Sequence, residues 1–177
     1  MKRYGSLISV IVAGLMLVAC ASVPTDDIEF DAEGTPGFEL GQYKSYAWLG
    51  SAHIVNDPQG EWEPDGLDAD AEVRFLIDRE MRSRGLVEVV READLLVGFL
   101  AGIDMEALEL TDMPDQELPV LEKTSKGALA IVFIDPHTRQ PVWAGAALAT
   151  INKDRSLHDV RARLDYAVTG IFKKLAR

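Results

Sequence analysis

Four residues carry the side chains best suited to covalent or metal chemistry: Cys20, the only cysteine, and the histidines His53, His137 and His158. A lone cysteine serves as a nucleophile, a small buried hydrophobe or a point of attachment. Zinc needs sets such as two imidazoles at helical spacing or paired thiols, and neither is present. There is no G-x-S-x-G elbow and no Gly-rich phosphate loop. Carboxylates are abundant and gather in two places, "DPQGEWEPDGLDADAE" and the stretch 104–122, which holds Asp104, Glu106, Glu109, Asp112, Asp115, Glu117 and Glu122. A calcium loop places oxygen ligands at alternate positions around a central Gly, and neither stretch does so. Both read as solvated acidic loops. Acid–base carboxylate pairs leave no local signature, and no pair is singled out. The expectation is no catalytic residue, no metal and no cofactor.

The setting of Cys20 decides its role. Lys2 and Arg3 make a basic start, and "LISVIVAGLMLVA", residues 7–19, has no charge. At about 1.5 Å of rise per residue this run is too short to cross a hydrocarbon core of about 30 Å. Such a segment is a secretory leader. It ends Leu17-Val18-Ala19-Cys20, which resembles the bacterial lipobox. The resemblance implies a diacylglycerol on Cys20, cleavage before it, and acylation, as by palmitate, of the new amino terminus. One acyl chain holds a protein marginally, whereas two or more anchor it stably. An acylated sulfur is no nucleophile. Ala21 stands where lipoproteins kept in the inner membrane usually carry Asp, which points to the outer membrane, facing the periplasm.

Removing residues 1–19 leaves about 158 residues, one domain by size. It also removes two of the 18 basic residues and none of the 29 acidic ones. An acidic surface argues against nucleic acid and against a basic patch for anionic lipid. No thiol remains for a disulfide, so stability must come from a core.

The elements follow from periodicity. Residues 20–37, rich in Pro, Gly and acids, read as a flexible tether, although "DIEFD" suits an edge strand. "YKSYAWL" is a strand dense in aromatic residues, and 50–66 a loop. Ala69, Val73, Leu76, Ile77 and Met81 share one helical face, so a helix spans 69–84 with Asp68 as N-cap and Gly85 as stop. Strands follow at 86–90, 95–105, 127–135 and 142–152. Ser156 caps a last helix whose apolar face holds Leu157, Val160, Leu164, Ala167, Val168, Ile171 and Leu175. The order predicts an α+β two-layer sandwich over 38–177: a mostly antiparallel sheet of four to five strands with two helices on one face.

The segments "YKSYAW", "EADLLVGF", "GALAIVFID" and "PVWAGAA", followed by an amphipathic helix, resemble a family of bacterial lipoproteins, the domain of unknown function 4136. The resemblance covers residues 30–177 and implies an envelope lipoprotein with a small α+β domain. It supplies no catalytic residues.

The strand 142–152 is apolar on both sides. Trp143, Gly145, Ala147, Ala149 and Ile151 share one, and Val142, Ala144, Ala146 and Leu148 the other. A sheet covered on one face alternates more cleanly. The second face is therefore covered by the tether and the acidic linker, or by a partner. Small residues beside Trp143 would form a shallow groove, so Trp143, Gly145, Ala147 and Ala149 are the candidate partner-binding face. Tyr43, Tyr46 and Trp48 read as core. The functional expectation is a non-catalytic binding or assembly module, joined to the membrane through Cys20 and meeting an envelope protein. The rivals are an envelope hydrolase using scattered carboxylates and a structural protein that self-associates by strand pairing.

Overall fold

The structure, a computed structural model, describes residues 23–50, 53–56, 64–103, 126–152 and 154–175. Cys20 and the acidic stretch 104–122 lie outside them. Seven strands and two helices follow in the order β1 (Glu29–Gly34), β2 (Ser45–Trp48), β3 (His53–Asn56), α1 (Ala69–Ser83), β4 (Val87–Glu88), β5 (Leu95–Ile103), β6 (Lys126–Ile134), β7 (Pro141–Thr150) and α2 (Leu157–Lys173). One sheet runs β1-β7-β6-β5-β2-β4, with β3 pairing β5 off that path. The long pairings, β1–β7, β7–β6 and β6–β5, are antiparallel, and the short ones made by β2, β3 and β4 are parallel. Parallel pairing of β2 with β4 follows from α1, which lies between them in sequence as a crossover.

The α+β class and the two helices agree with expectation, but the sheet has seven strands, not four or five. The additions are β1, drawn from the supposed tether, and β3, drawn from a supposed loop. β1 is an edge strand in which Glu29, Asp31 and Glu33 alternate with Phe30 and Ala32. Charges on one side and apolar groups on the other suit a strand that borders solvent. From residue 23 the tether is thus part of the domain.

Both helices form because each carries a complete apolar stripe and a cap. The Asp68 side chain accepts from the Ala71 N–H, and Ser156 accepts from the Asp159 N–H. Gly85 ends the first helix in the left-handed region, at φ +85°, where a Cβ would be strained. Val73, Leu76, Ile77 and Met81 of α1 and Leu164, Val168 and Ile171 of α2 are buried against one face of the sheet. That inner face carries Tyr46 on β2, Val97 and Phe99 on β5, Ile131 and Phe133 on β6, and Trp143 on β7. Burial of each of these side chains contributes about 1.5–3 kcal/mol. Phe133 is the hub of the aromatic packing, stacked on Trp143 with centroids 4.9 Å apart and edge-on to Phe172 at 5.9 Å.

Candidate functional site

The polar side chains with unusual surroundings form three groups. In the first, the fully buried Tyr46 donates its hydroxyl to Asp78 Oδ1 at 2.7 Å, and Trp48 Nε1 donates to the same oxygen at 3.1 Å. Arg74 lies over the Trp48 ring at 4.5 Å. Burial, reinforced by the hydrogen bond to Asp78, raises the Tyr46 pKa far above its ordinary value. A phenol held neutral in this way is a fixed donor that ties β2 to α1.

The second group joins the helices. Arg79 reaches Asp165 at 2.6 Å and Glu80 at 3.0 Å, while Arg84 reaches the other oxygen of Glu80 at 2.6 Å. Burial pushes the Glu80 pKa up, but hydrogen bonds from Arg84 and Arg79 outweigh it and leave the net value lowered. The hydrogen bond from Arg79 likewise lowers that of Asp165.

In the third group Arg163, 7% exposed, forms a fork onto Asp27 at 2.8 and 2.7 Å and also donates to the Pro24 carbonyl. Asp27 accepts as well from the Thr150 N–H at 3.0 Å. The Arg163 hydrogen bond is the chief cause of its lowered pKa. One carboxylate thus fastens the start of the domain to α2 and to the end of β7. Sequence reasoning missed this clamp, because ion pairs 136 residues apart leave no local pattern.

The histidines do not converge. His137 is exposed in the β6–β7 turn and His158 is exposed at the start of α2, while His53 belongs to β3, paired opposite Leu100. Among the described residues no three His, Cys, Asp or Glu side chains gather in a metal-binding group. Asp135 accepts from the backbone N–H groups of His137 and Thr138, which shapes that turn and lowers the carboxyl pKa.

The candidate partner-binding face is corrected by the structure. Trp143, Gly145, Ala147 and Ala149 lie on the inner face, beneath α2. Trp143 is 5% exposed and Ala147 3%. A Cβ at Gly145 would collide with Trp143 and come within 2.7 Å of Ile171 Cγ2. The small residue admits the helix, not a partner. Ala147 and Ala149 border a cavity of about 90 Å³ between the start of α2 and the sheet, with Ile28, Leu129, Val160 and Leu164.

The outer face is the alternate set. Register places Leu96 opposite Ile134, Leu100 opposite Ala130, Val132 opposite Ala144, and Ala146 opposite Asp31. Ala144 is exposed, and Leu96, Leu100, Ala130, Val132, Ala146 and Leu148 are half-buried. Leu49 lies over Gly98 on this face and is 53% exposed. No described helix covers it. The apolar strip ends at β1, where Glu29 and Asp31 are exposed opposite Leu148 and Ala146. The alternation was visible in the sequence, but with both sides apolar it did not say which side the helices take.

Comparison with known proteins fixes the relationship. The sequence profile of a domain of unknown function (DUF4136) matches residues 29–175. The chain belongs to the DUF4136 family. The resemblance expected from the four quoted segments is therefore met. This DUF4136 fold is similar to that of a DUF4136 family protein from Bacteroides thetaiotaomicron, with a TM-score of 0.55 and 12% identity, covering 84% of this chain and 96% of that one. It is also similar to part of a PDZ domain protein from Parabacteroides distasonis, with a TM-score of 0.50 and 16% identity over 84% of this chain and 36% of that one. The PelC dodecamer from Paraburkholderia phytofirmans gives a TM-score of 0.49 and 11% identity, covering 85% and 99%. At these identities the likeness is one of fold. No curated protein matches the sequence.

Proposed function

We propose that this DUF4136 chain is a lipid-anchored envelope protein, held by Cys20 on the periplasmic side of the outer membrane, that binds a protein partner and performs no chemistry of its own. The anchor rests on Leu17-Val18-Ala19-Cys20 after a basic start and an apolar run. The binding role rests on one observation: an apolar strip on the outer face of the sheet, bordered by the exposed carboxylates Glu29 and Asp31. Contiguous apolar surface of this kind marks a contact site. The acidic border selects a partner whose own apolar patch is flanked by basic side chains.

A photo-crosslinking residue at Ala144, on the outer face, is expected to give a discrete heteromeric adduct in intact cells. The same residue at Tyr166, on α2, gives none. Glu29→Lys with Asp31→Lys abolishes the adduct while the melting temperature stays unchanged, and Cys20→Ser releases the chain from the membrane fraction. An adduct of two copies of the chain would assign the face to self-association. A heteromeric adduct indifferent to the charge reversals would overturn the charge-matched partner.

A further inference from the structure

The Arg163–Asp27 clamp has a geometric corollary for the anchor. The cysteine that bears the lipid in the proposed function, on which this inference rests, is Cys20. The chain is already gripped at Pro24, whose carbonyl Arg163 holds. Four peptide links separate the two residues, so their Cα atoms are at most about 14 Å apart, however the links between them are arranged. A stem of that length keeps the domain close to the headgroups.

The clamp also lies at one end of the sandwich. Asp27 bonds the Thr150 N–H, at the close of β7, and β6 begins beside it, Lys126 pairing Thr150. The β6–β7 turn with His137 lies at the opposite end, about 30 Å away along the ten residues of β7. The clamp end exposes Asp26, Asp65, Asp68, Asn152, Asp154 and His158, with Lys126 and Arg155 half-buried, and the acidic segment after Ile103 leaves and re-enters the sheet there. This end is mainly acidic and is not itself drawn to lipid, so a zwitterionic headgroup layer tolerates it and the short stem alone sets which end is held there. The chain as a whole has 29 acidic against 18 basic residues, so it gains nothing by lying flat on anionic lipid.

We infer that the clamp turns the lipid anchor into an orienting stem: the end bearing Asp154 faces the bilayer, and the end bearing His137 points away. The strands then run along the membrane normal, and the outer face of the sheet opens sideways to a partner at the same height above the lipid.

The test uses the full lipidated chain in phosphatidylcholine vesicles carrying an acceptor-labelled lipid. Because thioether formation consumes the Cys20 thiol, a donor dye can be attached at a single new cysteine, Asp154→Cys or His137→Cys. Energy transfer is expected to be at least about twofold stronger from position 154, given the ~30 Å between the ends. Two changes should make the two positions converge. One is a Gly/Ser insertion of about ten residues between Ser22 and Val23, which lengthens the stem and leaves the clamp intact. The other is Arg163→Met, checked by circular dichroism for retention of fold. Equal transfer from both positions in the unaltered chain, or stronger transfer from 137, would overturn the orientation. Failure of the unaltered chain to float with vesicles, with no lipid on its mass, would instead remove the anchor itself and this inference with it.

Discussion

The two faces of the sheet are built from the same strands and similar apolar residues, yet among the described residues only one is covered by helices. The inner face places the Trp143 ring against Gly145 with Phe133 stacked on that ring, and two helices close over them. The outer face places small and branched residues in a flat strip, Ala130, Val132, Ala144 and Ala146, with carboxylates at its border. Hydrophobicity alone thus does not tell which face of a sheet the helices take. Relief does: packed layers need hollows that the facing side chains fill, Gly145 on the sheet receiving Ile171 of α2 and Gly170 on α2 receiving Phe30 of β1.

The comparison breaks most sharply at Gly145. Gly145→Val puts atoms where Trp143 and Ile171 already lie, and should cost about 3 kcal/mol, read as a lowered midpoint in urea unfolding. Should it unfold no more readily than the parent chain, the inner face is not packed as described.

Acid provides a second, smaller probe, directed at the bonds that close the helix layer over the inner face. Asp27 and Asp165 have lowered pKa values in the folded state, from an ordinary 3.8, and Glu80 from 4.5. A depressed folded pKa means the unfolded chain takes up protons first. The stabilisation is therefore complete above the ordinary values, and it is lost as pH falls below about 4 toward the folded ones. Melting temperature should hold between pH 7 and 5 and drop below pH 4. Asp27→Asn should start lower and drop less. A drop as steep in that variant as in the parent would detach Asp27 from the effect.

The smallest effect belongs to the outer face. Ala144→Asp introduces a charge at an exposed site and should move the unfolding midpoint by no more than about 0.5 kcal/mol. Its consequence should appear only as loss of the heteromeric adduct formed from a crosslinking residue placed instead at Ala146, on the same face. A large loss of stability would show that this face is core after all.

Much of the fold was legible because it rests on local signals. The α1 stripe, the Asp68 and Ser156 caps, the Gly85 stop and the three long strands stand within two residues of their predicted limits. β3 was not legible, because four residues between glycines and prolines carry no countable period. β1 was visible only as an alternation in "DIEFD", since edge pairing depends on a strand more than a hundred residues away. The partner face was misassigned for a physical reason: Gly145 fits equally a shallow groove and a helix seat.

The clamp also bears on the order in which the molecule is completed. Protein is made from its amino terminus, so Pro24 and Asp27 appear first, while Arg163 comes nearly last. β1 likewise waits for β7. Contacts this distant in sequence form late and slow the final closure. The amino-terminal segment is therefore unclaimed throughout synthesis and is gripped only when the rest of the domain stands. Under the lipid anchoring proposed above, that interval would let enzymes acting on Cys20 reach the chain end before Arg163 closes on Pro24.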